Sequence, residues 1–188
     1  MDLVAAQIDA PSLTALLAAS HPQHALHLRE ETAADLDFSA LLYASTREPE
    51  LAAVPWSDAE KAAFCRMQFN AQHAHYAAHY PGVQFMILER NVDGQREQSE
   101  QCERIGRVYV EQTPAAMLLM EITLLPASRG FGMGGAITSA LLQHARANTL
   151  PMHLHVEPLN PAKRLYERLG FVDVETSGFY TLMVAASL

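Results

Sequence analysis

The spacing of apolar and polar residues divides the chain into a helix-rich first part and a strand-rich second part. Apolar residues three and four apart predict helices, and alternating or short continuous apolar runs predict strands. The predicted helices cover 11–20, a segment opened by Thr32 and Asp35, 57–80, 134–147 and 161–169, and the predicted strands cover 24–29, 83–89, 105–110, 117–125, 152–156 and 178–184. Pro49 and Pro55 bracket a predicted break, and 91–104 reads as a turn and a polar hairpin loop.

This order of elements indicates an α+β fold. Helices lead, strands follow, and the chain closes with a strand–helix–strand–helix–strand sequence, which favours a mixed sheet with one parallel crossover. We see no composition shift that would mark a boundary, so we predict a single domain over 1–188, with 1–25 as a short N-terminal extension.

Composition narrows the class of protein. Of the 188 residues, 49% are hydrophobic and 18% charged, which is typical of a globular chain with a buried core. No run approaches the roughly 18 apolar residues that a membrane helix needs, so no membrane partner is expected. Cys65 and Cys102 form no C-x-x-C motif and are predicted to be two free thiols. The N-terminus is a poor signal peptide, and we therefore expect a cytoplasmic protein.

Charge is distributed unevenly along the sequence. Residues before Glu121 hold 16 of the 21 acidic and 8 of the 13 basic residues, so the whole net charge of −8 lies there. Nucleic-acid binding normally requires a basic face. The charge pattern therefore predicts no nucleic-acid partner.

A glycine-rich loop between a predicted strand and a predicted helix is the most informative segment. Four glycines fall within 130–135, directly after Arg129. Small residues allow close approach of a ligand, and the N–H groups at a helix N-terminus favour a phosphate. The alternative is a plain glycine turn between two elements.

The same loop also satisfies a second pattern. Gly130, Gly132 and Gly135 match G-x-G-x-x-G, and Glu157 follows the next predicted strand as a ribose-binding acid would. This would make the chain a dinucleotide-binding oxidoreductase. The four residues between strand and glycines, and the roughly 50 residues left for further βαβ units, argue against it.

A second motif follows the loop. Residues 160–171 read Asn-Pro-Ala-Lys-Arg-Leu-Tyr-Glu-Arg-Leu-Gly-Phe, while 129–134 fit Arg/Gln-x-x-Gly-x-Gly/Ala. Together, in this order and with a strand between them, the two motifs resemble those of the GNAT superfamily of acyl-CoA-dependent N-acyltransferases. The resemblance covers 121–171, and it implies that 117–171 carries the cofactor-binding and catalytic motifs.

The resemblance implies a mostly antiparallel sheet with a V-shaped splay between two central parallel strands, flanked by helices. Acetyl-CoA would lie in the splay as co-substrate, without a metal. The residues that the resemblance assigns to cofactor binding are the backbones of Leu124 and Leu125, then Arg129, Gly130, Phe131, Gly132, Met133, Gly134 and Gly135, and finally Asn160, which is alternatively a helix cap.

Catalysis in this superfamily is direct attack of an amine on the thioester. The resemblance makes Tyr166 the general acid, and the alternative is a core aromatic. For the base it leaves two choices open, Glu121 on the strand entering the splay and His155 on the facing strand; each is alternatively a structural residue. Gln72 and Tyr76 are predicted to meet the substrate.

The predicted activity is transfer of an acetyl group to a primary amine of a small molecule or peptide. A non-catalytic acyl-CoA-binding or sensor domain is the alternative. Histidines 73, 75, 79, 153 and 155 lack an H-E-x-x-H motif or cysteine partners, so no metal site is predicted. A homodimer is compatible with the resemblance.

Overall fold

The computed structural model describes residues 10–91 and 102–187. The helices are α1 (Ala10–Ser20), α2 (Leu36–Leu51), α3 (Asp58–His79), α4 (Met133–Ala147) and α5 (Lys163–Arg168). The strands are β1 (Leu26–Glu30), β2 (Val83–Asn91), β3 (Cys102–Gln112), β4 (Met117–Leu124), β5 (Met152–Val156), β6 (Val172–Ser177) and β7 (Tyr180–Ala185). No described helix is long and apolar enough to cross a bilayer.

All seven described strands form one sheet in the order β1-β2-β3-β4-β5-β7-β6. Only β4 and β5 are parallel neighbours, and the other pairs are antiparallel. The α+β prediction with one parallel crossover is confirmed. A dinucleotide-binding domain requires a doubly wound parallel sheet, so the oxidoreductase alternative is wrong.

The two parallel strands separate soon after they meet. Their pairing is limited to Met117–Leu119 against Met152–Leu154. In the β3–β4 register, Val110 pairs with Leu119 but Tyr109 pairs with Glu121, which leaves Met120 as an extra residue. A bulge of this kind bends its strand, and it falls where β4 leaves β5. The predicted V-shaped splay is therefore present.

Helices cover both faces of the sheet. On one face, α1 and α4 pack into the main core through buried leucines such as Leu13, Leu17 and Leu141. On the other face, α2 and α3 form a smaller cluster around Tyr43 and Phe69. The segment predicted as an N-terminal extension thus contributes α1 to the main core.

Capping residues begin the two long helices as predicted. Ser57 and Glu60 form a capping box, with the Glu60 N–H donating to Ser57 Oγ at 3.3 Å and the Ser57 N–H to Glu60 Oε2 at 2.8 Å. Thr32 and Asp35 form a second capping box, at the 3₁₀ turn that leads into α2. Helix α2 nevertheless continues through Pro49 to Leu51, so the break begins later than predicted.

Two strand boundaries and one whole strand differ from the prediction. Strand β6 was not predicted, because every one of its residues is exposed and no buried alternation marks it. Strand β3 begins at Cys102 and β2 extends to Asn91, so the predicted turn and loop are shorter at both ends. The remainder of that loop, 92–101, lies outside the described residues. Cys65 and Cys102 form no disulfide, as predicted.

Candidate functional site

The divergence of β4 and β5 opens a cleft of about 660 Å³, which we call the splay cleft. It is bounded by the end of β4, the first turns of α4, the segment from β5 to α5, and part of α2. Its lining consists of Ser45, Thr46, Pro49, Ile122, Thr123, Leu124, Arg129, Gly134, Thr138, Glu157, Leu159, Asn160, Pro161, Ala162, Leu165 and Tyr166.

The glycine loop delivers the N-terminus of α4 to this cleft. Gly130 and Gly132 have φ angles of 84° and 82°, a left-handed conformation that glycine adopts without strain. The Ala136 N–H donates to the Gly132 carbonyl at 3.0 Å and is the first bond of the helix. The N–H groups of residues 133–135 therefore have no acceptor within the helix. A phosphate or diphosphate suits such a group of donors.

Gly134 supplies the space that such a ligand needs. A Cβ built at Gly134 would have no atom within 4 Å, and the residue lines the splay cleft. Any larger side chain would occupy the cleft itself. The loop and the open space beside it therefore fit the diphosphate of a coenzyme A compound.

The other predicted loop residues are placed differently. The Met133 side chain is buried in the main core, and a Cβ at Gly135 would lie 3.2 Å from Leu165 Cδ1. For these two residues only the backbone is available to a ligand. The Phe131 side chain is exposed on the loop surface.

Most backbone groups of Leu124 and Leu125 are already engaged. Leu125 donates its N–H to the Ile105 carbonyl at 2.8 Å and accepts from the Ser128 N–H at 2.8 Å. The Leu124 carbonyl accepts from Arg129 Nε at 2.9 Å. Since backbone groups alternate between the two edges of a strand, the Leu124 N–H points away from β3, towards the splay cleft. Of the four N–H and carbonyl groups of Leu124 and Leu125, the Leu124 N–H is therefore the one that can hydrogen-bond to an extended ligand.

Arg129 joins the loop to α2. Besides the Leu124 carbonyl, its guanidinium reaches Ser45 Oγ at 3.0 Å through Nη2. Arg129 thus links the end of β4 to α2 and contributes to the lining of the splay cleft. It is the basic side chain of the cleft lining.

Tyr166 reaches the splay cleft from α5. Its ring packs edge-on against Phe171, with the centroids 5.9 Å apart, and the residue is 7% exposed. No described residue is hydrogen-bonded to its hydroxyl. Burial raises the pKa of Tyr166 above its usual value, which keeps the phenol protonated at neutral pH and able to donate a proton.

Asn160 lies opposite, in the turn before α5. Its Oδ1 accepts from the Ala162 N–H at 2.9 Å, and its carbonyl accepts from the Lys163 N–H at 3.0 Å. The helix begins at Lys163 and not at Pro161 as predicted. Asn160 therefore stabilises the turn ahead of the helix and also lines the splay cleft.

Glu121 lies on β4 between the residues that line two different pockets. Leu118, Leu119 and Met120 line a second pocket, whereas the residues after Glu121 line the splay cleft. Arg107, which is fully buried, donates to Glu121 Oε1 through both Nε, at 3.0 Å, and Nη2. Thr123 Oγ1 donates to the same oxygen at 2.9 Å. Among the described residues, Glu121 Oε2 has no hydrogen-bond partner.

The second pocket, of about 280 Å³, lies on the α3 face of the sheet. We call it the tyrosine pocket, and its lining is Tyr76, Tyr80, Leu118, Leu119, Met120, His155 and Tyr180. It brings together two of the predicted residues, Tyr76 and His155. Burial, with the charge of Glu121 as the next cause, raises the pKa of Tyr76 to about 12.

Gln72 stands one helical turn before Tyr76. Its Nε2 lies 3.4 Å from the Tyr76 hydroxyl. Its Oε1 is buried without a partner among the described residues. Gln72 is therefore connected to the tyrosine pocket through Tyr76.

Sequence reasoning missed several residues of these two pockets. Arg107 sits in an otherwise apolar strand pattern, and an arginine at such a position is a signal that could have been noticed. Tyr80 and Tyr180 come from the end of α3 and the start of β7, and nothing in the sequence links them. Ser45 reaches the splay cleft only because α2 crosses the end of β4.

The histidines are scattered over the described structure. His73 Nε2 contacts buried Glu31 Oε2 at 3.0 Å, and His75 stacks on His79 with centroids 4.2 Å apart. Within the described ranges, no three His, Cys, Asp or Glu side chains form a group suited to a metal. The absence of a metal stays a prediction.

Part of the sequence is similar to known proteins. The family model described as FR47-like protein matches residues 107–180. Mycothiol acetyltransferase from Streptomyces scabiei is 37% identical over 81 residues, which are 42% of this chain and 23% of that protein. The chain thus matches less than a quarter of that relative's length.

Two solved structures have the same fold. An N-acetyltransferase from Thermoplasma acidophilum in complex with coenzyme A has a TM-score of 0.57 at 15% identity, with 86% of this chain and 98% of that chain covered. Spermidine N-acetyltransferase from Vibrio cholerae, in complex with CoA and spermine, has a TM-score of 0.55 at 19% identity, with 85% and 94% covered. The chain shares the fold of these N-acetyltransferases, as the resemblance of its two motifs to the GNAT superfamily predicted, and the FR47-like match spans the segment that carries both motifs.

Proposed function

We propose that this protein is an N-acetyltransferase that moves an acetyl group from acetyl-CoA to a primary amine of a small molecule or peptide. The observation that carries the proposal is the splay cleft, in which the open N-terminus of α4 and the largely buried Tyr166 line one cavity. The known proteins with this fold support the proposal, because both are N-acetyltransferases solved in complex with coenzyme A. The mycothiol acetyltransferase from Streptomyces scabiei supports it through the 81-residue segment that it shares with this chain.

The proposed cofactor contacts follow from the lining of the cleft. Backbone N–H groups of residues 130–135 bind the diphosphate, and Arg129 adds a positive charge beside them. The Leu124 N–H pairs with the extended arm of the ligand, as an added strand would. Asn160 contacts the ligand from the opposite side of the splay cleft. When bound, acetyl-CoA supplies the thioester that the amine attacks.

Two proton transfers are assigned to the protein. An ammonium cannot attack until it loses a proton, and we assign this proton to Glu121 Oε2, directly or through one water, with His155 as the second choice. Tyr166 then donates its phenolic proton to the departing sulfur. As the new carbon–nitrogen bond replaces the carbon–sulfur bond, the nitrogen gives up its second proton to solvent. Glu121 then releases its proton to solvent, and solvent restores the proton of Tyr166.

Glu121 is preferred to His155 because of its position. It stands on β4 between the residues that line the tyrosine pocket and those that line the splay cleft. His155 lines the tyrosine pocket, is not part of the splay-cleft lining, and is exposed on β5. The proposal therefore places the amine in the tyrosine pocket and the thioester in the splay cleft.

The test is ligand-dependent stability followed by turnover. Thermal unfolding is measured with acetyl-CoA, CoA, NAD and buffer, because a ligand that binds only the folded state raises the midpoint. The proposal expects stabilisation by both CoA compounds and not by NAD, and amine-dependent release of CoA in a screen of primary amines. Stabilisation without turnover would favour the acyl-CoA-binding or sensor alternative, and no stabilisation would contradict both.

A further inference from the structure

The tyrosine pocket has a composition that selects for one kind of acceptor. Three tyrosines, Tyr76, Tyr80 and Tyr180, contribute to its wall. The rings of Tyr76 and Tyr80 meet at 79° with centroids 6.0 Å apart, so they form a corner. Aromatic faces attract organic cations, and the attraction strengthens where water is excluded.

The acidic group next to the pocket wall on β4 is paired with Arg107 through only one of its two oxygens. Glu121 is the next residue after Met120 of the pocket wall, and its side chain is 15% exposed. Its Oε2 is an acceptor without a partner in the described structure. A primary ammonium has three N–H donors and a positive charge, which match an unpaired carboxylate oxygen.

Among the described residues, the pocket lining offers a ligand carboxylate no lysine or arginine, and its basic residue is His155, which is exposed on β5. Arg107 is near but fully buried, and its guanidinium is bound to Glu121 Oε1 and, at 2.9 Å, to the Ser39 carbonyl. A carboxylate next to the acceptor amine would therefore lie beside Glu121 without a lysine or arginine partner in the described lining.

The size of the pocket limits the acceptor further. Its volume of about 280 Å³ lies below the roughly 300–1,000 Å³ that is usual for sites of drug-sized ligands. A short ligand body fills it, with Met120 and the leucines of β4 as the apolar wall. A long peptide would lie mostly outside.

We propose that the acceptor is a small primary alkylamine or arylalkylamine that carries no carboxylate beside the amine, bound with its ammonium between the tyrosine rings and Glu121. This inference rests on the proposed function and names the substrate class of the same site. It excludes free α-amino acids, which differ from such amines only by the carboxylate.

Three matched compounds test the inference. Tyramine has the ammonium, tyrosol replaces it with a hydroxyl, and L-tyrosine adds the carboxylate. We expect the kcat/KM of tyramine to exceed that of L-tyrosine by at least about 30-fold, because like charges facing each other in a binding site are strongly unfavourable. Tyrosol is expected to inhibit at best weakly. Equal or faster acetylation of L-tyrosine, or of a tetrapeptide with a free N-terminus, would overturn the inference while leaving the acetyltransferase proposal intact.

A pair of variants tests the aromatic wall. Tyr180 is 51% exposed, so its replacement should not prevent folding. We expect Tyr180→Leu to raise the KM for tyramine about 3- to 10-fold, and Tyr180→Phe to leave it within about twofold, because only leucine removes the ring. The KM for acetyl-CoA should not change in either variant. An unchanged KM for tyramine in Tyr180→Leu would count against the cation site.

Direct binding separates the two proposals if no amine is acetylated. Calorimetric titration of the CoA-saturated protein with tyramine and L-tyrosine does not depend on turnover. Binding of tyramine but not L-tyrosine would sustain the cation site although the acetyltransferase proposal failed. Equal binding of the two, or binding of neither, would overturn the inference.

Discussion

Arg107 fixes one oxygen of Glu121 and leaves the other without a partner. The guanidinium is fully buried, lies 5.0 Å from the Phe69 ring centre and 4.9 Å from that of Tyr109, and donates twice to Glu121 Oε1. Glu121 Oε2 is buried and unpartnered among the described residues. This asymmetry orients the carboxylate and leaves one oxygen without a donor, so that it can accept a proton as a proposed base requires.

The first prediction concerns this pair. We expect Glu121→Gln to lower kcat for amine acetylation by about 100-fold, the usual contribution of a positioned base. We expect Arg107→Lys to lower kcat by about tenfold, because a lysine cannot make both hydrogen bonds to Glu121 Oε1. The two losses should be less than additive in the double variant, since both act on one group. Steady-state kinetics with varied amine and varied acetyl-CoA measure the effect.

His155→Gln serves as the comparison for this pair. If His155 were the base, its replacement would cause the larger loss and Glu121→Gln would be mild. The KM for acetyl-CoA should stay constant in all these variants. Thermal unfolding checks that Arg107→Lys is folded, because its side chain is buried.

A second prediction concerns Tyr166. Tyr166→Phe removes a hydroxyl that has no hydrogen-bond partner in the described structure and keeps the ring against Phe171. Stability should therefore change by less than about 0.5 kcal/mol, while kcat falls about 100-fold because the general acid is lost. Urea unfolding and single-turnover kinetics measure the two effects. Loss of stability without loss of kcat would mean that Tyr166 is only a core aromatic.

The third prediction compares two glycines of the loop. A Cβ at either Gly130 or Gly134 would meet no atom within 4 Å, but Gly130 has a φ angle of 84° and Gly134 lies in a helix. Gly130→Ala should therefore lower the free energy of unfolding by about 1 kcal/mol, and Gly134→Ala should keep or raise it by up to about 1 kcal/mol. Urea unfolding without ligand decides the sign.

Gly134 should behave differently towards the ligand. We expect Gly134→Leu to weaken CoA binding more than tenfold, because its side chain would fill the splay cleft beside the first turn of α4. Calorimetry measures the dissociation constant. Tight CoA binding by Gly134→Leu would contradict the proposed position of the diphosphate.

The fourth prediction concerns acid stability. Asp35 is buried and accepts from both Nη atoms of Arg29, at 2.7 and 2.8 Å, and from Arg104. The Arg29 hydrogen bonds hold the pKa of Asp35 well below its usual range. The folded state therefore gains stability from this group above the unfolded pKa of about 4, and loses it as the pH falls below that value.

Asp35→Asn tests this contribution. We expect it to lower the free energy of unfolding by about 3 kcal/mol at pH 7, and by less at pH 3, where the unfolded wild type is protonated. Glu50→Gln is the control, because its ion pair with Arg47 is exposed and should contribute less than about 1 kcal/mol. An equal loss for Asp35→Asn at both pH values would contradict the linkage.

Local patterns in the sequence were enough for most of the fold. The helices opened by Thr32 and Ser57 could be predicted because capping residues act over three or four positions. The glycine loop and the 160–171 motif were informative for the same reason, since each concentrates its residues in one turn or one helix. Strand β6 could not be predicted, because an exposed edge strand has no buried face to give it a period.

The assembly of the site was decided by tertiary structure. The sequence determined the GNAT fold, the order of its elements and the residues of its two motifs. Only the folded chain decided that the bulge at Met120 precedes Glu121 at the point on β4 between the two pockets. The same holds for the hydrogen bonds by which Arg107 of β3 orients Glu121. It holds also for the pocket in which Tyr76, Tyr80 and Tyr180 come together. The physical reason is that pairing register and helix packing join residues up to about a hundred positions apart, and no local pattern carries such contacts.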